Sequence, residues 1–330
     1  MRSPEQQRAI VEFWDWWPRV RPRVEAAIAG GAWADLPTEV GARVSAIDPG
    51  LQWEFAKGGR ATHAVVVCAA GRAELRATAA RWLAAAPPVD ATWEYHTARQ
   101  PDPAALRADL EIDGHRLHLP DIRFGFTEDG ERGEVHVVCH HPVFAGIPKE
   151  AGTRITFLAL DWLLGEDAVE RWVGGIDTAT DPPSDAQPPQ ALAAAVARLA
   201  EQHREPAWTL LGGRTPDGWP VVATVQRPLK AVRWPRFDTH VAVRLPYRTQ
   251  SENGLPDNDA LQRLRAVEDA LTEAAGRDAE LLAHETVQGR RTLHYYADSG
   301  TAVVAALDRV LPGQLGITYD PALREVAHLS

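Results

Sequence analysis

The stretch TATDPPSDAQPPQ, residues 178–190, limits the architecture more than any other part of the chain. Four of its residues are proline, three are Asp or Ser, and no apolar period runs through it. Proline fixes φ and removes a backbone donor, so such a run favours extended, semi-rigid backbone and reads as a linker. It predicts two domains, 1–177 and 190–330, joined at 178–189. A chain of 330 residues suits two domains, and 45% hydrophobic residues can fill two cores.

Periodicity gives the elements within each half. Ile10, Phe13, Trp14 and Trp17 fall on one helical face, with Pro18 and Pro22 expected to end or kink that helix. Neighbouring helix positions differ by 100°, so Trp14, Trp16 and Trp17 are not expected to point inward together. Exposed indole near Trp16 is therefore a candidate contact surface. Strands are expected at LQWEFAK, HAVVVCAA, DATWEYHTA, LHLPDIRFGFTE and GEVHVVCHH, with helices at AELRATAARWLAAA and TRITFLALDWLLGED. The second half predicts strands at WTLLGG, WPVVATVQR and DTHVAVRL, then a helix from about 258 to 275. Strands ELLAHETV and RRTLHYYA follow around a Gln288-Gly289 turn, then a helix and the strand GQLGITYD. Adjacent strands joined by short turns, without strict βαβ alternation, indicate an α+β fold with mostly antiparallel sheets packed by helices in each domain.

Composition narrows the function classes. The net charge of −10 argues against a nucleic-acid partner, although Arg19, Arg21 and Arg23, and Arg227, Lys230, Arg233 and Arg236, form local basic clusters. No run approaches 18 apolar residues, so no membrane span is expected. Two cysteines form no disulfide framework, and MRSPEQQRAIVEFWDWW does not read as a secretory leader; the expected setting is the cytoplasm. Composition does not set an oligomeric state.

The segment VVCHHPVF draws attention first as a reactive cluster. On a strand, His140 and His141 face opposite sides, and His136 and His140 stand about 13 Å apart. Only Cys139 and His141 bracket a metal-like spacing, with His115 as a further ligand candidate. A strand end with surface histidines is the plainer reading, and no cofactor is expected. Phosphate-loop, GxSxG, HExxH and CxxC motifs are absent from the sequence.

The loop TQSENGLPDND offers Glu252, Gly254, Leu255 and Pro256 as candidate binding residues, with Asn258 or Asp259 as the expected cap of the next helix. In that helix Glu268 sits at the edge of the apolar stripe, where a carboxylate needs a partner such as Arg244, Arg291 or His294. Arg291, Leu293 and Tyr295 share one strand face; Thr292, His294 and Tyr296 share the other.

The segments WPVVATVQR, DTHVAVRLPY, ENGLPDNDALQRLRAVEDAL, ETVQGRRTLHYYAD and ITYDPAL resemble, in that order, the bacterial domain of unknown function family 695. That family is similar in layout to the regulator of ribonuclease activity B group. The resemblance covers about residues 206–325 and is most specific at Gly254-Leu255-Pro256, Glu268-Asp269, Gly289 and Tyr295. Asp320 matches the usual aspartate, whereas Leu323 stands where an aromatic is typical. More weakly, FWDWW, LQWEF and DWLLGED resemble the region preceding this domain in some bacterial proteins. The resemblance implies a ferredoxin-like C-terminal domain and no established activity. Since the related regulators act by binding another protein, it favours a non-catalytic binding or regulatory protein with a protein partner over an enzyme. The alternative is a hydrolase or metal-assisted enzyme built on Cys139 and His141 or on Glu268 and His294.

Overall fold

The computed structural model describes residues 4–112 and 114–330. The chain forms two compact units: Met1–Thr97 with Trp208–Ser330, and Ala98–Ala207. The line is thus drawn elsewhere than at the proline-rich stretch. Residues 178–189 lie inside the second unit, and the span 1–177 is shared between both.

The first unit opens with α1 (Pro4–Gly30), which runs through Pro18 and Pro22. Both prolines are exposed and four residues apart, so the carbonyls they leave without an N–H partner lie on the solvent side of the helix. Helix α2 (Leu36–Ile47) packs on α1. Strands β1 (Gln52–Lys57) and β2 (His63–Cys68) pair antiparallel; α3 (Ala73–Ala84) then leads to β3 (Trp93–His96), parallel to β2. Trp14, Trp16 and Trp17 are all buried, contrary to the helical-wheel expectation. The three indoles are enclosed from different sides: Trp14 stacks on Trp82 of α3, Trp16 donates to Glu39 of α2, and Trp17 donates to Tyr95 of β3.

The second unit holds the hairpin β4 (Asp109–Ile112) and β5 (His115–His118) and the three-stranded sheet of β6 (Arg123–Asp129), β7 (Glu134–His140) and β8 (Val173–Ala179). Helices α4 (Lys149–Leu164), α5 (Glu166–Trp172) and α6 (Pro189–Gln202) complete it. Strand β8 runs parallel to β7, so the chain enters the proline-rich stretch from within a sheet. Phe124 and Gln187 then exchange both backbone hydrogen bonds, at 2.9 and 2.8 Å. Gly125 permits this close approach, because a Cβ there would stand 2.8 Å from Asp185 Oδ1 and 2.9 Å from Pro183 Cβ. Leu192, Val196 and Leu199 of α6 then enter the same core as Phe124, Val137 and Leu160. The prolines rigidify a strap across the sheet rather than a spacer.

Residues 208–330 complete the first unit with β9 (Ala207–Arg214), β10 (Pro220–Arg227), β11 (Thr239–Pro246), α7 (Asn258–Ala275), β12 (Ala279–Val287), β13 (Arg290–Ala297), α8 (Val303–Val310) and β14 (Leu315–Tyr319). The six strands lie in the order β14-β11-β13-β12-β10-β9. Alternation gives each face its character. Val241, Val243, Leu293 and Tyr295 pack under α7 and α8 with Leu264, Leu271 and Leu307. His240, Ala242, Arg244, Thr292 and His294 point the other way and line a cleft. Part of that second face is roofed by the C-terminal segment, where Val326 and Leu329 join Trp234, Leu282 and Tyr296.

Candidate functional site

The residues singled out from sequence are dispersed. Glu268 of α7 pairs with Arg291 of β13 at 2.8 Å, and Arg291 Nε donates to Thr286 Oγ1 at 3.0 Å. Both lie on the helix side of the sheet, whereas His294 is on the cleft side; Glu268 and His294 do not form one group. Tyr295 is buried in the helix-side core. Trp16 is buried too and offers no contact surface.

The loop before α7 is tied to its own fold. Tyr247 OH donates to Gly254 O at 2.8 Å, Thr249 Oγ1 donates to Leu255 O at 2.7 Å, and Gly289 N donates to Gly254 O at 2.9 Å. Gly254 has φ +71°, within the left-handed region that glycine adopts freely. Leu255 and Pro256 are half-buried and Glu252 is exposed. Asp257, rather than Asn258 or Asp259, caps α7 by accepting from Ala260 N at 2.9 Å.

The Cys139 cluster also resolves into structural parts. Cys139 is fully buried, and burial pushes its thiol up to about 12, which suppresses the thiolate needed for attack or ligation. His141 Nδ1 accepts from Val143 N and its Nε2 donates to His118 O, so both ring nitrogens are engaged; burial pushes its pKa down. His115 is exposed on β5. Among the described residues, no group of three or more His, Cys, Asp or Glu is arranged to hold a metal ion. Both cysteines are buried. The basic clusters are likewise engaged: Arg21 pairs with Asp90, Arg23 with Asp35 and Glu39, and Arg227, Arg233 and Arg236 donate to the backbone carbonyls of Leu329, Pro228 and Arg277.

Polar groups do converge on the sheet face away from the helices. A cleft of about 370 Å³ is lined by His240, Arg244, Arg290, His294, Thr318 and Glu325, among others. Register explains the grouping: His240 sits opposite Thr318 and Tyr296, Ala242 opposite Gly316 and His294, and Arg244 opposite Thr292. The Arg244 guanidinium lies over Gly316, where a Cβ would stand 3.1 Å from Nη1. Arg244 and Arg290 are both exposed. A second cleft of about 430 Å³ opens on the helix side by Leu245, Tyr247 and Leu264. It is larger, but its lining lacks histidine and carboxylate.

A chain of side chains runs behind the polar cleft. His240 Nε2 is 3.0 Å from His294 Nδ1, His294 Nε2 is 3.2 Å from Glu285 Oε2, and His328 Nε2 is 2.9 Å from Glu285 Oε1. A carboxylate only accepts, so His294 donates through Nε2; with a neutral His294 its Nδ1 then accepts from His240. The hydrogen bond from His294, reinforced by His328, holds Glu285 down at about 2. Burial first, and the neighbouring His294 second, lowers His240 to about 4, so His240 is neutral at neutral pH. Beside it, Tyr296 OH donates to Asp320 Oδ2 at 2.6 Å, and Asp320 also accepts from Arg324 N and Glu325 N. The aspartate thereby fixes the segment that brings Glu325 to the cleft.

Residues 208–321 match the model of a family of unknown function, DUF695. No curated protein and no solved structure matches the chain. The DUF695 segment spans the six-stranded sheet from Trp208 through β14 and includes His240, Glu285, His294 and Asp320. Glu325 and His328, which close the cleft side, follow the matched residues.

Of the cleft residues, the sequence pattern picks out His294, Thr292 on the same strand face, and Arg244, the last only as a partner for Glu268. His240, Glu285, Arg290, Glu325 and His328 were missed as a group. A usable signal existed in THVAVR: His240, Ala242 and Arg244 alternate with Val241 and Val243, which marks one face of β11 as polar.

Proposed function

We propose that the chain is a non-catalytic binding or regulatory protein that acts on a protein partner, with the polar cleft of the DUF695 segment as its contact surface. The carrying observation is the pair of exposed guanidinium groups, Arg244 and Arg290, on an open sheet face of a chain with net charge −10. A local positive island on an acidic protein steers an acidic segment of a partner to one place. The ferredoxin-like reading of the domain draws support from the order β11-α7-β12-β13-α8-β14 with strands arranged β14-β11-β13-β12. A cytoplasmic setting is in keeping with two cysteines that are not bridged. No helix among the described residues is long and apolar enough to cross a membrane.

The test is affinity capture from the native host with the full chain and with the Arg244→Glu/Arg290→Glu double variant. The reading expects one stoichiometric protein partner with the parent chain and its loss with the variant. Capture that ignores the double substitution, or no stoichiometric partner at all, overturns it.

The His240–His294–Glu285 chain favours a second reading, an acid–base enzyme such as a hydrolase. Turnover of ester or phosphoester substrates that disappears in His240→Gln would establish it. Stoichiometric zinc, manganese or iron in the purified protein would carry its metal-assisted form.

A further inference from the structure

We infer that the polar cleft takes a hydrogen-phosphate group, a tetrahedral oxyanion that still carries an O–H, either as inorganic phosphate or as a phosphate monoester. The inference rests on the binding reading above and gives that cleft a ligand class.

The cleft combines two kinds of partner. Arg244, Arg290 and the hydroxyls of Thr292 and Thr318 donate, which suits anionic oxygens. His240 and Glu325 accept. In the neutral histidine chain His240 spends its Nε2–H on His294, and that is the ring's hydrogen bond to protein. Its Nδ1 is thereby left with a lone pair on a ring that lines the cleft, and Glu325 adds a carboxylate to the same lining. An oxyanion with no proton would satisfy the arginines and leave both acceptors facing negative oxygen. Hydrogen phosphate satisfies both sets, because one end is anionic and the other donates.

The spacing agrees. The Arg244 guanidinium reaches back over Gly316, the partner of Ala242, which is two residues from His240 and Thr318. Two strand residues span about 7 Å. One tetrahedral oxyanion with a hydrogen bond of about 2.8 Å at each end bridges that distance. Gly316 belongs to this geometry, since a Cβ there would crowd Nη1 at 3.1 Å and the guanidinium would have to give way slightly.

Sulfate has the shape of phosphate and no O–H at neutral pH, so it separates this proposal from a general anion site. The full chain is titrated calorimetrically with sodium phosphate, sodium sulfate, and a phosphoserine peptide with its unphosphorylated control. Histidine imidazole resonances are followed by NMR. The expected result is phosphate binding at least tenfold tighter than sulfate, with the His240 signals shifting. Arg244→Ala should weaken phosphate at least tenfold, and Glu325→Gln should narrow the phosphate-to-sulfate ratio by improving sulfate. Peptide binding tighter than free phosphate would assign the group to a phosphorylated side chain; the reverse would assign it to the free ion. Equal binding of the two ions, or no His240 response to either, overturns the inference. Loss of this result with Arg244-dependent partner capture intact removes only the phosphate inference. Phosphate binding without a captured partner removes only the protein-partner reading.

Discussion

Arg81 and Asp298, 217 residues apart in sequence, meet through the Arg81 Nε, which donates to Asp298 Oδ1 at 3.1 Å. Nη2 of the same guanidinium reaches Asp238 Oδ2 at 2.9 Å. Asp238 also accepts from Ser299 N and Ser299 Oγ, and Asp298 from Gly300 N, so both carboxylates are committed within a buried network. Burial pushes the Arg81 pKa down, but the hydrogen bonds it donates to Asp298 and Asp238, with the charges of both aspartates, outweigh that and raise it. Arg81 thus ties α3 to the sheet formed by residues 208–330.

Removing the guanidinium leaves two buried carboxylates facing each other. Arg81→Ala should destabilise the first unit by about 3–5 kcal/mol, the range for breaking a buried charge pair from one side. Chemical denaturation followed by tryptophan fluorescence checks this. Arg81→Met combined with Asp238→Asn and Asp298→Asn should recover much of the loss, because no charge then remains unpaired.

Glu94 should make the first unit acid-sensitive. The carboxylate is buried and accepts from Gly59 N, Arg60 N and Ala61 N at 2.8, 2.8 and 2.9 Å, and it faces His96 Nε2 at 2.9 Å. Burial opposes ionisation, yet these donors outweigh it and bring the pKa from 4.5 to about 2. Since the folded value is depressed, the stabilisation is complete above about pH 4.5 and is lost as pH falls through about 2. Glu285, also held at about 2, acts in the same direction. Stability curves of the parent and Glu94→Gln should therefore diverge at neutral pH and converge toward pH 2.

The thiols should be silent in the folded protein. Cys68 and Cys139 are both buried, and burial raises the Cys139 thiol to about 12. At pH 8 a disulfide-exchange reagent should release no more than a small fraction of two equivalents until denaturant is added. Rapid stoichiometric reaction without denaturant would contradict the packing of β7.

Gly125→Val should loosen the strap over β6. Its Cβ would meet Asp185 and Pro183, and the segment around Gln187 would have to lift from Phe124. Overpacking of this kind costs about 1–3 kcal/mol. The measurement is limited proteolysis: new cleavage within residues 178–189 is expected in the variant and protection in the parent.

Local patterns were well expressed in the sequence. The amphipathic period predicts a helix from about 258 to 275 and α7 spans Asn258–Ala275, and the Gln288-Gly289 turn joins β12 to β13 as its residues imply. Such elements depend on neighbours in the chain. The antiparallel, helix-packed character of the second half follows from the same local signals.

What depended on distant partners was not legible. The fate of Trp16 turned on Glu39, supplied by another helix. Residues 178–189 have a linker composition, and only the register of β8 and the missing side chain of Gly125 show them packed. His240, Glu285 and His328 converge because β13 lies between β11 and β12 and the C-terminal segment returns across them. Pattern along one strand identifies the face on which a histidine sits; it does not identify the strand that will stand beside it.

The first unit is discontinuous: Met1–Thr97 and Trp208–Ser330 flank Ala98–Ala207. During synthesis Arg81 emerges long before Asp238 and Asp298, so its guanidinium must wait for both of its anionic partners. The intervening unit has all its strands in hand by then and can close while the earlier segment is still unpartnered. Vectorial translation therefore leaves one guanidinium without its carboxylates until the last part of the chain is made, although the core around Trp17, Trp82 and Trp93 draws only on residues already present.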